Sequence, residues 1–322
     1  MNRAINRLSL AALALFMGLL GWINYLQVFR ATSLASEPGN GRTFSQQFQL
    51  QRGQIVATGD PGQPVVIAQS RLIKGTSSYQ RYYPFGAVYA PVTGYNSIYA
   101  STSPYGATGI EAAEGKYLSG TASSLAVHNL ISLFSGKSNV GSTVYLTISP
   151  KAQQAAYQAL AQMGRPAGLV AIDPKTGAIL ALASYPTFDP NLYATHDGTQ
   201  LNKTDARFRN DPGHPLVNRA INETFPPGST FKIVTSSAGF NTGKVADQNA
   251  TIPAPQFYQL PGSTAQLTND GQAPCGDGNP QIIFAFTISC NTAFGKLGNT
   301  VGSDALYSTA NGYGFNLSLI HI

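Results

Sequence analysis

With 322 residues and 34.0 kDa, the chain is too long for one small module and fits two domains of ~100 to 200 residues each. Charged residues are 11% of it, against roughly 25% in soluble proteins, and apolar ones are 43%, which excludes a disordered or coiled-coil chain and points to a membrane or wall setting. The net charge of +6, from 20 Lys+Arg and 14 Asp+Glu, is spread without a basic block, which excludes nucleic acid as the expected partner.

Residues 8–28 carry no charge, a length close to the ~20 residues that span a bilayer. Arg3 and Arg7 precede the segment and Trp22 and Tyr25 lie near its far end, the dress of an uncleaved single-pass anchor in the cell membrane, with the bulk of the chain outside the cytoplasm. Residues 31–145 are rich in Gly, Ser, Gln and Tyr, and short alternating stretches at 54–58 and 65–68 predict an irregular, mostly β region. The run Tyr79-Gln80-Arg81-Tyr82-Tyr83-Pro84 reads as packing or a partner surface. Gly136-Lys137-Ser138 mimics the end of a phosphate loop, but Ile131 stands where that loop needs its first glycine, so the match is rejected.

A strand is predicted at 144–148, then a helix with Ser149 as N-cap, Pro150 as its first residue and Gly164 closing it. Ala152, Ala156, Leu160 and Met163 fall on one face of that helix. Residues 169–172 and 178–184 form a β-hairpin from a buried sheet, joined by Asp173-Pro174-Lys175-Thr176-Gly177. Further helices are expected at 229–239, 280–288, 291–297 and 304–310, giving a mixed α/β domain with at least one apolar, buried helix. Cys275 and Cys290 are the two cysteines. On the wall side of a membrane a disulfide between them is permitted and closes a loop worth ~3 kcal/mol; two free thiols are the alternative. His128, His196, His214 and His321 lie far from both in sequence, so neither a metal nor a cofactor is expected.

The chemistry concentrates in Phe225-Pro226-Pro227-Gly228-Ser229-Thr230-Phe231-Lys232. Here a rigid turn runs into an apolar helix whose first turn sets Ser229 and Lys232 on one face. A serine needs a base to become a nucleophile, and a lysine serves once burial lowers its pKa. Phe231, Ile233 and Val234 supply that burial, and the helix N-terminus suits a developing oxyanion. Sixty residues after Ser229 comes the chain's one S-x-N triplet, Ser289-Cys290-Asn291. Ser289 and Asn291 taken alone also read as a helix cap.

These motifs resemble the penicillin-binding proteins, specifically the class B transpeptidases and their actinobacterial branch. The resemblance extends to Arg52-Gly53-Gln54-Ile55, to Leu146-Thr147-Ile148 before a Gln-containing helix, and to Ala171-Ile172-Asp173-Pro174-Lys175-Thr176-Gly177-Ala178-Ile179-Leu180-Ala181. It continues through Phe188-Asp189-Pro190-Asn191, Asn218-Arg219-Ala220, Pro227-Gly228-Ser229-Thr230-Phe231-Lys232 and Ser289-Cys290-Asn291-Thr292-Ala293-Phe294. No glycosyltransferase domain precedes them, hence class B. The resemblance implies an N-terminal transmembrane helix, a β-rich pedestal (dimerisation-type) domain and a transpeptidase domain of the serine β-lactamase-like fold. By it, Ser229 would be acylated, Lys232 would take its proton, Ser289 would relay protons and Asn291 would hold Lys232 and the substrate's backbone amide. The Ser229 N–H would be half of the oxyanion hole. The implied reaction attacks the D-Ala-D-Ala end of a peptidoglycan stem peptide, releases D-Ala and passes the acyl group to an amine. β-Lactams would acylate the same serine, and division or elongation proteins would be partners.

The family's third motif, K-T-G or K-S-G after S-x-N, has no match here. Lys175-Thr176-Gly177 precedes Ser229 and is read as a hairpin turn with no catalytic role, so these 322 residues by themselves are expected to be inactive. Residues 317–322 are also what one frame of a sequencing-library transposon end encodes, an ordinary strand start being the alternative. The expected organisation is 1–30 cytoplasmic tip and anchor, 31–145 pedestal, 146–316 an incomplete transpeptidase domain, and 317–322 adapter read-through. The rival readings are a β-lactamase or β-lactam sensor, and a non-catalytic division or elongation scaffold.

Overall fold

The computed structural model describes residues 2–30, 49–97, 106–122 and 140–316. Gly136-Lys137-Ser138 and residues 317–322 lie outside them. The chain forms two compact units, 1–224 and 225–322.

The first unit begins with helix α1, Asn2–Val28, of which Ile5–Val28 has a mean hydropathy of 1.7. Leu8, Leu15 and Phe16 on it are exposed. At 1.5 Å per residue these 24 residues run about 36 Å, enough to cross a hydrocarbon core of ~30 Å.

Strands β1 (Ile55–Ala57), β2 (Val65–Leu72), β3 (Tyr79–Tyr82) and β4 (Val144–Leu146) form a sheet in the order β3-β2-β1-β4. β4 runs parallel to β1 and the other pairs are antiparallel. Ile55, Ala57, Ile67 and Ala68 face a core closed by Tyr83, Tyr89 and Leu118. The expected mostly-β region also holds short helices, Ala90–Thr93, Gly109–Ala113 (α2) and Gly115–Leu118. One of them, α2, is held by Glu111, which is fully buried. Its carboxylate accepts from Arg81 Nε at 2.5 Å, from Arg52 Nη2 at 2.8 Å and from the Tyr83 hydroxyl at 3.2 Å, so the polar side of the helix points inward.

Helix α3, Pro150–Met163, starts as the sequence predicts: Ser149 Oγ accepts from Ala152 N–H, and Gly164 closes the helix at φ 64°. Asp60 braces the cap, accepting from Ser149 Oγ at 2.6 Å, and these bonds hold its carboxyl below the usual aspartate range. The apolar face needs correcting. Ala156 and Leu160 are buried, but Met163 is 51% exposed, because the last turn runs past the strands it packs on. The buried member is Gln153, whose amide donates to Val88 O at 2.8 Å and Leu182 O at 2.9 Å and accepts from Leu182 N–H at 2.8 Å.

The predicted hairpin forms from β5 (Ala167–Ile172) and β6 (Ile179–Tyr185). Among the described residues it is two-stranded rather than part of a larger buried sheet. α3 covers Ala181 and Ala183, while Val170, Ile172 and Ile179 are exposed. Gly168 admits the short helix Arg219–Asn222, since a Cβ there would stand 2.8 Å from Ala220 N. Helix α4, Gly198–Arg209, was not anticipated; Asp197 caps it by accepting from Thr199 and Gln200 N–H.

The second unit contains helix α5 (Phe231–Asn241), the hairpin β7–β8 (Phe257–Gln259 and Gln266–Thr268), and helices α6 (Ile282–Thr287), α7 (Asn291–Val301) and α8 (Ser303–Gly312). Its core gathers Val245, Ile252, Ala254, Ala285, Ala293, Phe294 and Leu297. Only one face of α5 is buried: Val234, Ala238 and Gly239 pack inward, whereas Ile233 and Phe240 are exposed. The cysteine alternatives resolve into a disulfide, Cys275–Cys290.

Candidate active site

Two backbone devices in the second unit bring the predicted residues together. The first is the turn before α5. Gly228 takes φ 56°, open to glycine and strained for other residues, and delivers Ser229 into the 3-10 turn Gly228–Thr230 at the head of α5. Thr230 Oγ1 donates back to Pro227 O and closes the turn. Lys232, one turn on, reaches Ser229 Oγ with Nζ at 3.2 Å.

The second device ends α6. Ser289 N–H donates to Phe286 O at 3.0 Å and Cys290 N–H to Ala285 O at 2.8 Å, the bond pair of a Schellman motif. That motif wants its penultimate residue left-handed, and Ser289 supplies it at φ 59°, a conformation costing a non-glycine residue about 1–2 kcal/mol. The reversal starts α7 at Asn291 and turns Ser289 Oγ toward Ser229 Oγ, 3.0 Å away.

Lys232 Nζ therefore has four oxygens around it: Ser289 O at 2.5 Å, Asn291 Oδ1 at 2.7 Å, Ser289 Oγ at 2.9 Å and Ser229 Oγ at 3.2 Å. The two nearest are carbonyls, which only accept. A neutral amine donates its two hydrogens to them and leaves its lone pair for a hydroxyl proton. That proton leaves Ser229 directly or through Ser289. Burial lowers the Lys232 pKa from the ordinary lysine value, with Asp270 acting in the opposite direction. Asn291 is itself oriented, because its Nδ2 donates to Thr268 O at 3.0 Å, which leaves Oδ1 for the lysine.

All four predicted residues converge. Lys175-Thr176-Gly177 lies in the β5–β6 turn as read. Lys175 N–H donates to Asp173 Oδ1 at 3.0 Å and Thr176 Oγ1 to Asp173 Oδ2 at 2.7 Å, and Gly177 takes φ 74°. The sequence reading missed Thr268, which ends β8, and Asn269 and Asp270, which follow it; none belongs to a motif.

A penicillin-binding protein transpeptidase domain model matches residues 167–320, and a penicillin binding protein A dimerisation domain model matches residues 52–144. Peptidoglycan D,D-transpeptidase PbpA of Mycobacterium tuberculosis is 41% identical over 321 residues, 98% of this chain and 63% of that protein. The chain belongs to the class B penicillin-binding proteins. A more distant relative is the Escherichia coli peptidoglycan D,D-transpeptidase MrdA, 32% identical over 73% of the chain and 40% of that protein. Among solved structures, the imipenem acyl-enzyme complex of penicillin-binding protein A from M. tuberculosis aligns with a TM-score of 0.75 at 42% identity, covering 84% of this chain and 60% of that one. Its penicillin G acyl-enzyme complex aligns at 0.74. This chain spans 63% of the length of the M. tuberculosis relative.

Proposed function

We propose that the protein is a serine D,D-transpeptidase of peptidoglycan, acylated on Ser229. The observation that carries this reading is the placement of Lys232 Nζ, with two carbonyl acceptors and two hydroxyls within 3.2 Å. Neutral Lys232 takes the Ser229 proton, and Oγ adds to the penultimate D-Ala carbonyl carbon of a stem peptide. The charge on the former carbonyl oxygen is stabilised by the Ser229 N–H and the positive end of α5. As the intermediate collapses, the peptide C–N bond breaks and the departing D-Ala amine takes the proton from Lys232 through Ser289 Oγ. Asn291 holds Lys232 throughout and binds the substrate's backbone amide. An amine on a neighbouring strand then attacks the ester and gives its proton to the same lysine, which passes it to Ser229 Oγ as the ester C–O bond breaks. A β-lactam meets the same serine, its ring C–N bond opening in place of the peptide bond. Every proton in these steps is carried by Lys232 and Ser289, so the reading calls for no metal or cofactor.

The reading places α1 in the cell membrane, the Ser229 unit outside the cytoplasm, and division or elongation proteins against the 31–145 region. Without a K-T-G or K-S-G triplet after Asn291, a polypeptide of these 322 residues alone binds penicillin too weakly for fluorescent labelling. In the product of the complete gene, fluorescent penicillin labels the wild type and not Ser229→Ala. Equal labelling of Ser229→Ala would sink the proposal. A deletion strain rescued fully by Ser229→Ala would favour the scaffold reading instead.

A further inference from the structure

We propose that Asn269 is a positioning residue for acylation, holding Asn291, and through it Lys232, in register with Ser229; this rests on the acyl-serine reading above. Helix α7 begins with a defect. Its N-cap position is Cys290, which makes no side-chain cap and whose sulfur is bonded to Cys275. Ser, Thr, Asp or Asn in that place would bond a free N–H of the first turn.

Asn269 does this from 23 residues away, its Oδ1 accepting from Thr292 N–H at 2.9 Å. It is 6% exposed and its amide is saturated, Nδ2 donating to Ala273 O at 3.0 Å and Pro255 O at 3.1 Å. A flipped amide would set NH2 against the Thr292 N–H, so one orientation is fixed. The residue before it, Thr268, accepts from Asn291 Nδ2 at 3.0 Å. Two consecutive residues thus clamp two consecutive residues, Thr268 on Asn291 and Asn269 on Thr292. Thr292 Oγ1 adds a third tie by donating to Pro255 O at 2.7 Å. The Asn291 carbonyl stands 2.7 Å from Lys232 Nζ, so slippage at the start of α7 moves the base away from Ser229.

The test is acylation of the complete gene product by a chromogenic cephalosporin, resolved into Kd and the limiting acylation rate and normalised to the folded fraction. Asn269→Ala lowers the limiting rate about a hundredfold, the scale of a 1 Å misplacement, and raises Kd by a smaller factor, since Asn291 also meets the substrate's backbone amide. Asn269→Asp is no rescue, since its second oxygen would face the Ala273 and Pro255 carbonyls that Nδ2 now serves; a fall in limiting rate that outweighs any change in Kd is what separates positioning from a general loss of structure. An unchanged rate in folded Asn269→Ala, or a loss confined to Kd, overturns this inference alone. A wild type that is never acylated overturns the acyl-serine reading as well.

Discussion

Replacing Lys232 by Met keeps the side chain's length and removes only what Nζ does. Two carbonyls, Ser289 O and Asn291 Oδ1, lose their donor, and the Ser229 and Ser289 hydroxyls lose their acceptor. General-base assistance contributes about 10²–10⁴ in rate, or about 3–5 kcal/mol of barrier, and no second base lies within bonding distance of Ser229 among the described residues. Acylation of Lys232→Met by a chromogenic cephalosporin therefore falls by that factor. The wild-type rate rises with pH and levels off below 10.5, the ordinary lysine value from which burial displaces Lys232. Stability follows the same proton. Because the folded pKa is depressed, the unfolded state binds more protons between the folded pKa and 10.5, and wild-type stability rises with pH across that window. Lys232→Met lacks this rise. A variant retaining a tenth of the wild-type rate, or a wild-type profile flat to pH 10, would refute the assignment of Lys232 as the base.

Replacing Cys275 and Cys290 together by Ser opens a 15-residue separation and lowers unfolding free energy by about 3 kcal/mol, read from the denaturant midpoint and slope together, because the unlinked unfolded chain exposes more surface. Glu111→Gln keeps the shape of a fully buried side chain but leaves Arg81 and Arg52 without their counter-ion. The cost is about 3–5 kcal/mol, seen as lost expression or a thermal midpoint many degrees lower. Gln153→Leu frees the Leu182 N–H and two carbonyls inside the first unit and costs about 2–3 kcal/mol. An unchanged urea midpoint would show that water replaces the amide there.

What the sequence disclosed was local chemistry. Ser149-Pro150 and Gly164 bracket α3 because a cap, a fixed φ and a left-handed glycine act within a few residues of themselves. Ser229 and Lys232 were legible for the same reason, three residues apart on one helix. Ser289 and Asn291 were legible as a triplet, but not the Schellman turn that aims Ser289, because a serine at φ 59° has no sequence mark. Met163 and Gln153 show the limit of periodicity: helical spacing names a face, and only the strands beneath decide where that face ends and whether an amide fits it. Glu111 and Asn269 were invisible because their partners lie 30 and 23 residues away. Helix α4 carried a signal in Asp197, Leu201 and Phe208, but it was too sparse in apolar residues to stand out.

The acyl-serine claim is tested most directly by mass spectrometry of the complete gene product after exposure to penicillin G. The proteolytic peptide containing Ser229 gains the mass of one intact penicillin, and fragmentation places the adduct on Ser229 Oγ, with no adduct in Ser229→Ala. An adduct on any other residue, or a wild type of unchanged mass after prolonged exposure, would contradict it.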